Sequence, residues 1–191
     1  GSNAYTVSTN GNSIGGTDQF SMVQGEFTGD GSLTCMIYSI EKGDSLFPGV
    51  TGLMMRSNSD MTNSPFAMVG LNANGEVFFR YRLSTGSAAI DSIVLTPSVP
   101  YPIEVKMVRT GNNVDAYCAG QLVGQLNILL SDTIAGGVAV ASGGTSLTNH
   151  SAFGEIIDSG FVQLNTRIEN NIHSVEATLF PDPAHNIVTI Q

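Results

Sequence analysis

Apolar residues in this chain come in short runs that alternate with polar ones and stop at Gly, Asn, Asp or Ser. A period of two places successive side chains on opposite faces of an extended strand. No stretch repeats its apolar residues at the three-and-four spacing of a helix, so the pattern predicts an all-β fold. The expected strands are Tyr5–Ser8, Phe20–Phe27, Ser32–Glu41, Val50–Ser57, Phe66–Leu71, Val77–Ser84, Ile103–Arg109, Val114–Ala119, Gln121–Leu129, Ile134–Ala141 and Ser151–Ile157. The clearest hairpin turns through Thr110-Gly111-Asn112-Asn113, because Gly and Asn accept the positive φ of a tight turn. With Gly111-Asn112 at the centre, Met107 faces Ala116, Val105 faces Cys118, Lys106 faces Tyr117 and Val108 faces Asp115. One side of that hairpin is then apolar and the other mostly polar, as a half-buried antiparallel pair requires.

Composition narrows the function. The chain has 191 residues, enough for one domain with a sizeable core, and its 41% hydrophobic share is too high for a disordered chain. Sixteen acidic residues against seven basic ones give a net charge of −9, which disfavours nucleic acid as a partner. Sugars and metal cations stay open. The absence of Trp removes the flattest surface for stacking on a sugar ring. No run approaches the ~18 apolar residues of a membrane-spanning helix. No charged-then-apolar leader is visible, and Gly1-Ser2-Asn3-Ala4 reads as an expression scar. Cys35 and Cys118 sit in apolar strand-like runs and read as buried thiols in preference to a disulfide. Neither has the spacing of a zinc site.

Alternation also sorts one sheet's faces. With Leu53, Met55, Val77, Phe79 and Tyr81 inward, Arg56, Phe78, Arg80 and Arg82 point outward. On the hairpin, Glu104 and Tyr117 point outward as well. These six residues are expected to form one Arg/aromatic surface suited to hydroxyls or carboxylates. Cross-strand pairing of Arg with acidic residues for solubility explains the same pattern without a ligand. Asp18 and Asp30, beside glycines at strand entries, are weak candidates for calcium, although Gly29-Asp30-Gly31 is also simply a good turn. No other cofactor is expected. His150, His173 and His185 are scattered, and no Gly-x-Ser-x-Gly elbow or Gly-Lys-Ser/Thr phosphate loop occurs.

Several segments together carry a resemblance. They are Tyr5-Thr6-Val7, Gly16-Thr17-Asp18-Gln19-Phe20, Gly29-Asp30-Gly31-Ser32-Leu33-Thr34, Gly52-Leu53-Met54-Met55-Arg56 and Phe79-Arg80-Tyr81-Arg82, followed in order by Pro100-Tyr101, Val105–Asn112 and Gly137-Val138-Ala139-Val140. In order and spacing they resemble the concanavalin A-like (lectin/glucanase-type) β-sandwich family, and within it the modules labelled regulation-of-enolase-like. The resemblance spans residues 5–158 and implies a two-sheet antiparallel β-sandwich, a jelly roll. It further implies a secreted or surface bacterial protein with neighbouring domains, and a ligand surface on the concave outer face of one sheet. Arg56 and Arg82 fall at motif positions of that family, which fits a ligand contact and a structural ion pair equally. Two tryptophan positions common in relatives are vacant, one at Gly15-Gly16 and one at Leu122 or Leu126. Retaining glucanases of the superfamily carry Glu-x-Asp-x-Glu on one strand, and no such string occurs here, although Glu104 and Asp115 share a face.

Beyond Asp158 the pattern weakens, and residues 159–176 read as a linker. Leu179-Phe180-Pro181-Asp182-Pro183-Ala184 with Asn186–Ile190 resembles the opening strand of a C-terminal sorting domain of the type IX secretion system, with Asp182 in place of the usual Asn. Residues 177–191 would be its truncated start. One strand cannot bury its apolar face alone, so it should pair with the sandwich or pack poorly. The expected function is a non-catalytic extracytoplasmic module, monomeric, that binds carbohydrate weakly. The alternatives are a structural or protein-interaction spacer and, further off, a glycoside hydrolase.

Overall fold

The structure, a computed structural model, describes residues 4–11, 13–15, 18–41, 48–57, 63–95, 100–144, 148–163, 176–180 and 187–189. Its elements among these residues are all strands: β1 (Tyr5–Thr9), β2 (Phe20–Thr28), β3 (Gly31–Ile40), β4 (Val50–Arg56), β5 (Phe66–Asn72), β6 (Val77–Arg82), β7 (Ile90–Leu95), β8 (Ile103–Thr110), β9 (Asn113–Cys118), β10 (Gln121–Asn127), β11 (Thr133–Ala141), β12 (Asn149–Phe153), β13 (Ile157–Ser159), β14 (Val162–Gln163), β15 (Glu176–Phe180) and β16 (Ile187–Thr189). They form two antiparallel sheets. The first runs β10-β9-β8-β3-β12-β1-β16, with β13 also on β3; the second runs β14-β2-β11-β4-β5-β6-β7, with β15 also on β2.

The two sheets pack face to face because each supplies one apolar face. Leu33, Cys35, Ile37, Val105, Met107 and Ala116 come from the first sheet, and Leu53, Met55, Val69, Leu71, Phe79 and Val138 from the second. All twelve are almost completely buried, and each large side chain removed from water contributes about 1.5–3 kcal/mol. The hairpin of β8 and β9 has the register its sequence predicts, with Met107 opposite Ala116 and Val105 opposite Cys118. Gly111 at its turn has φ +58°, where an L side chain would be strained.

Three features depart from the sequence reading. β7 was not expected. β13 and β14 lie across the boundary of the expected linker and pair with β3 and β2. The tail pairs with the sandwich, β15 on β2 and β16 on β1, one of the two outcomes expected for it. Most important for the site, the second sheet carries another apolar cluster on its outer side: Ile14, Phe20, Met22, Met54, Phe66, Met68 and Phe78. Alternating strands with one solvated face do not predict this layer.

Candidate functional site

The register of β4, β5 and β6 lays out the outer face of the second sheet in rows. Arg56, Phe66 and Arg82 stand side by side across the three strands, and Met54, Met68 and Arg80 form the next row, continued by Asp91 of β7. Gly52, Gly70 and Phe78 follow. A β-carbon on Gly52 would lie 2.2 Å from the Val69 carbonyl oxygen, so this row admits no side chain there. The four outward residues predicted on this sheet therefore do share one face.

That face is closed. Ser13 and Gln19 exchange backbone hydrogen bonds of 3.0 and 2.8 Å, which loops the chain between them over the sheet. Ile14, in this loop, is buried among the methionines and phenylalanines. Arg80 Nη1 donates to the Ile14 carbonyl at 2.8 Å, and the Ala89 N–H donates to the Gly15 carbonyl at 3.1 Å.

Asp18, at the end of the loop, anchors it. Its side chain and those of Arg56 and Arg82 are 0% exposed. Arg82 meets the carboxylate as a fork, Nη2 to Oδ1 at 2.8 Å and Nη1 to Oδ2 at 2.9 Å. Arg56 Nη2 lies 3.5 Å from Oδ2. The Gly15 and Asn63 N–H groups also donate to the carboxylate, at 3.1 and 3.3 Å. The guanidiniums bind two further segments. Arg56 Nε donates to Ser64 Oγ at 3.0 Å, Arg82 Nη1 to the Ser64 carbonyl at 3.3 Å, and Arg82 Nε to the Ser87 carbonyl at 2.8 Å. Each arginine also lies over a ring: Arg56 over Phe20 at 5.3 Å, Arg82 over Phe66 at 5.1 Å and Arg80 over Phe78 at 5.1 Å. Burial by itself would raise the Asp18 carboxyl, but the Arg82 hydrogen bonds and charge, the Gly15 N–H and Arg56 outweigh it and hold the carboxyl below its ordinary value. Burial pushes the Arg56 guanidinium down to about 10, against the opposing pull of Asp18.

The predicted six-residue surface consequently needs two corrections. Arg56, Phe78 and Arg82 are buried, and both guanidiniums are turned to partners within the protein. Glu104 and Tyr117 belong to the other sheet, where Glu104 stands opposite Met36 and Tyr117 opposite Lys106. The period-two pattern shows which side of its own sheet a residue takes, and it is silent on which sheet the strand joins. Of the four on the second sheet, Arg80 keeps a partly open position, with its side chain 17% exposed and bonded to Asp91, which is 50% exposed. Arg80 Nη2 donates to Asp91 Oδ2 at 2.8 Å, and Nε donates to Oδ1.

The weak calcium candidates have other partners. Asp18 already accepts four hydrogen bonds, from Arg82, Gly15 and Asn63, and the positive charges of Arg82 and Arg56 beside it oppose a cation. Asp30 Oδ1 accepts the Gly111 N–H at 2.7 Å and so ties the β2–β3 turn to the β8–β9 turn. No group of three His, Cys, Asp or Glu side chains suited to a metal occurs among the described residues. Asp115 accepts from Gln125 Nε2 at 3.1 Å. It faces Val108, four positions along β8 from Glu104, so the two residues are set about 13 Å apart along the strand at their backbones. Paired glycosidase carboxyls stand roughly 5–9.5 Å apart. His150 bonds Ser8 Oγ through Nδ1 at 2.5 Å, with Glu41 3.9 Å from its Nε2. His173 and His185 lie outside the described residues.

Cys35 and Cys118 are both free and buried. Both stand opposite Val105, one on each side of it. Two strand spacings separate them by about 9.5 Å, beyond the ~7 Å limit for a disulfide. Burial raises both thiols, Cys35 to about 12. Among the described residues no helix is long and apolar enough to cross a membrane.

Solved structures share this architecture. A functionally unknown protein from Saccharomyces cerevisiae superposes with a TM-score of 0.65 at 10% identity, over 81% of this chain and 87% of that one. A carbohydrate-binding module from Bacillus subtilis superposes with a TM-score of 0.50 at 22% identity, over 71% of this chain and 83% of that one. A sialidase contains a region with a TM-score of 0.54 at 12% identity, covering 82% of this chain and 15% of that one. The fold is the two-sheet antiparallel β-sandwich, a jelly roll, expected from the sequence. No protein-family model and no curated protein matches the chain.

Proposed function

We propose that the chain is a non-catalytic β-sandwich module of a secreted or surface protein and that it contacts carbohydrate weakly at the rim of the second sheet's outer face. The observation that carries this reading is the unequal fate of the arginines. Arg56 and Arg82 are sealed with Asp18, whereas Arg80 and Asp91 reach solvent together beside Phe78. An Arg–carboxylate pair offers donors and acceptors in a fixed plane, which suits vicinal sugar hydroxyls. Phe78 lies beneath Arg80 and no Trp is present, so stacking adds little and the contact is weak. The structural likeness to a carbohydrate-binding module supports the same reading at the level of fold. The separation of Glu104 from Asp115 supports the non-catalytic part.

A glycan array followed by calorimetry on the intact chain tests the proposal. Binding should be reduced at least tenfold by Arg80→Ala and left unchanged by Tyr117→Ala, which alters the opposite sheet. Binding untouched by Arg80→Ala would remove this site. A second reading, a spacer or protein-interaction module, is favoured by the complete burial of Arg56, Arg82 and Asp18. Absence of heat with every glycan would establish it over the first. Export is supported by the resemblance of the tail to a sorting domain. It predicts that a reporter fused to the native C-terminal region leaves the cytoplasm in a host with that secretion system, and a cytoplasmic reporter would refute it.

A further inference from the structure

Among the described arginines, Arg56, Arg80 and Arg82 each have an acid partner. Arg56 and Arg82 share Asp18, and Arg80 has Asp91. Arg109, near the end of β8, does not. It is 7% exposed, and no Asp or Glu oxygen of the described residues lies within 4.0 Å of its guanidinium. Its one hydrogen bond among the described residues runs from Nε to the Gly111 carbonyl, at 3.1 Å. Nη1 is buried without a partner. Arginine side chains are cationic in proteins, so burial is not relieved by loss of a proton. An unpaired buried charge is costly, and an anion beside it offsets that cost.

The backbone fixes what surrounds this group. Arg109 follows Val105 and Met107 at a period of two and so projects from the core side of β8. Its cross-strand neighbours are Gly31 of β3 and Val114 of β9. Paired residues share a face, so the missing side chain of Gly31 leaves a slot beside Arg109. Phe161 fills it: a β-carbon on Gly31 would meet the Phe161 ring at 2.7 Å. Phe161 packs in turn against Phe27, with ring centres 5.4 Å apart. Val114, on the other flank, is 1% exposed. Arg109 therefore stands between apolar neighbours where the core meets the β8–β9 turn. Asp30 reaches the same turn but gives Oδ1 to the Gly111 N–H, at 2.7 Å.

With Nε committed to Gly111, Nη1 and Nη2 form the free end of the fork. Their N–H groups lie side by side in one plane and match the two oxygens of a carboxylate. The apolar flanks lower the local dielectric and strengthen a charge pair formed there. The chain's net charge of −9 repels anions in general, so a carboxylate that binds has to do so through a specific pair.

We propose that Arg109 is the anchor of a carboxylate-binding site at the β8–β9 end of the sandwich, and that the ligand is a small organic acid or an acidic sugar whose carboxylate pairs with Nη1 and Nη2. This site lies on the core side of the first sheet, whereas Arg80 lies on the outer face of the second, so it stands independently of the glycan contact proposed above.

The test titrates glucuronate, acetate and glucose against the intact chain at constant ionic strength, with chloride as the balancing anion. The Arg109 guanidinium nitrogen signals, identified in the NMR spectrum by their loss in Arg109→Lys, should shift with both acids and stay in place with glucose. Arg109→Lys keeps the charge without the fork and should bind either acid at least tenfold more weakly. Arg109→Met should bind neither; if it fails to fold, the parent spectra and Arg109→Lys still decide. Glucuronate at least tenfold tighter than acetate would support the site with an acidic sugar as its ligand, and a smaller difference would support it with a small organic acid. Signals that ignore both acids, or equal affinity in the parent and Arg109→Lys, would overturn the proposal.

Discussion

The two sheets turn outer faces of opposite character away from the shared core. On the first sheet that face carries Glu104, which is exposed, and Lys106, Asp115 and Tyr117, which are partly exposed. On the second it carries Phe66, Met54 and Met68, each 0% exposed, under a loop fastened by Asp18 to Arg56 and Arg82. The first face behaves as an ordinary solvated sheet surface. The second is a miniature core, in which charged groups are tolerated because each guanidinium meets a carboxylate, a carbonyl or a hydroxyl and lies over a ring. Polarity of a side chain therefore does not mark the accessible face in this protein; the fastening of loops does.

Breaking the fastening should have the largest effect. Asp18→Asn leaves two buried guanidiniums without their carboxylate and should cost about 3–5 kcal/mol in denaturant unfolding. A loss below about 1 kcal/mol would show that the loop is not held as described. Next, Met68→Ala should cost about 2–5 kcal/mol, as in any packed core; a value near zero would mean that the face is open to water in solution.

The acid response sharpens the same contrast. The lowered Asp18 carboxyl means that, below its ordinary 3.8, the unfolded chain takes up this proton before the folded one does. Its contribution to stability is full above that value and is lost as pH falls toward the folded value. A melt series from pH 6 to pH 2 should show a steeper acid loss in the parent than in Asp18→Asn. Parallel profiles would contradict the ionised triad. On the opposite face, Glu104→Gln and Tyr117→Ala should each change stability by about 0.5 kcal/mol or less. Smallest of all, oxidation should leave the mass unchanged. Cys35 and Cys118 should react with a thiol reagent only on unfolding, and a loss of two mass units in the folded chain would show the strands to be placed differently.

Much of this was legible in the residues. The all-β class, most strands and the register of the β8–β9 hairpin follow from the period of two and from the Gly111-Asn112 turn, both local signals. The outward side of Arg56, Phe78, Arg80 and Arg82 follows in the same way. Two things were not local. Whether Glu104 and Tyr117 share a sheet with the arginines depends on strand order, which alternation does not encode. Burial of the outer face depends on where the loop before β2 lies. A signal for it was present: Ala67, Met68, Val69 and Met54, Met55 are apolar at successive positions, which fits a strand covered on both sides better than a half-solvated one. The departure of Arg56 and Arg82 from a ligand role had been left open by their motif positions, and Asp18 supplies the ion pair.

The pairing of β16 with β1 brings Thr189 opposite Thr6. Whatever polypeptide joins the sandwich before Tyr5 and after Thr189 would then leave from a single corner. A body whose two ends meet at one corner can be inserted into a surface loop of another domain without stretching it. Pulling on the two attachment points would peel β16 from β1 before any load reached the core between the sheets.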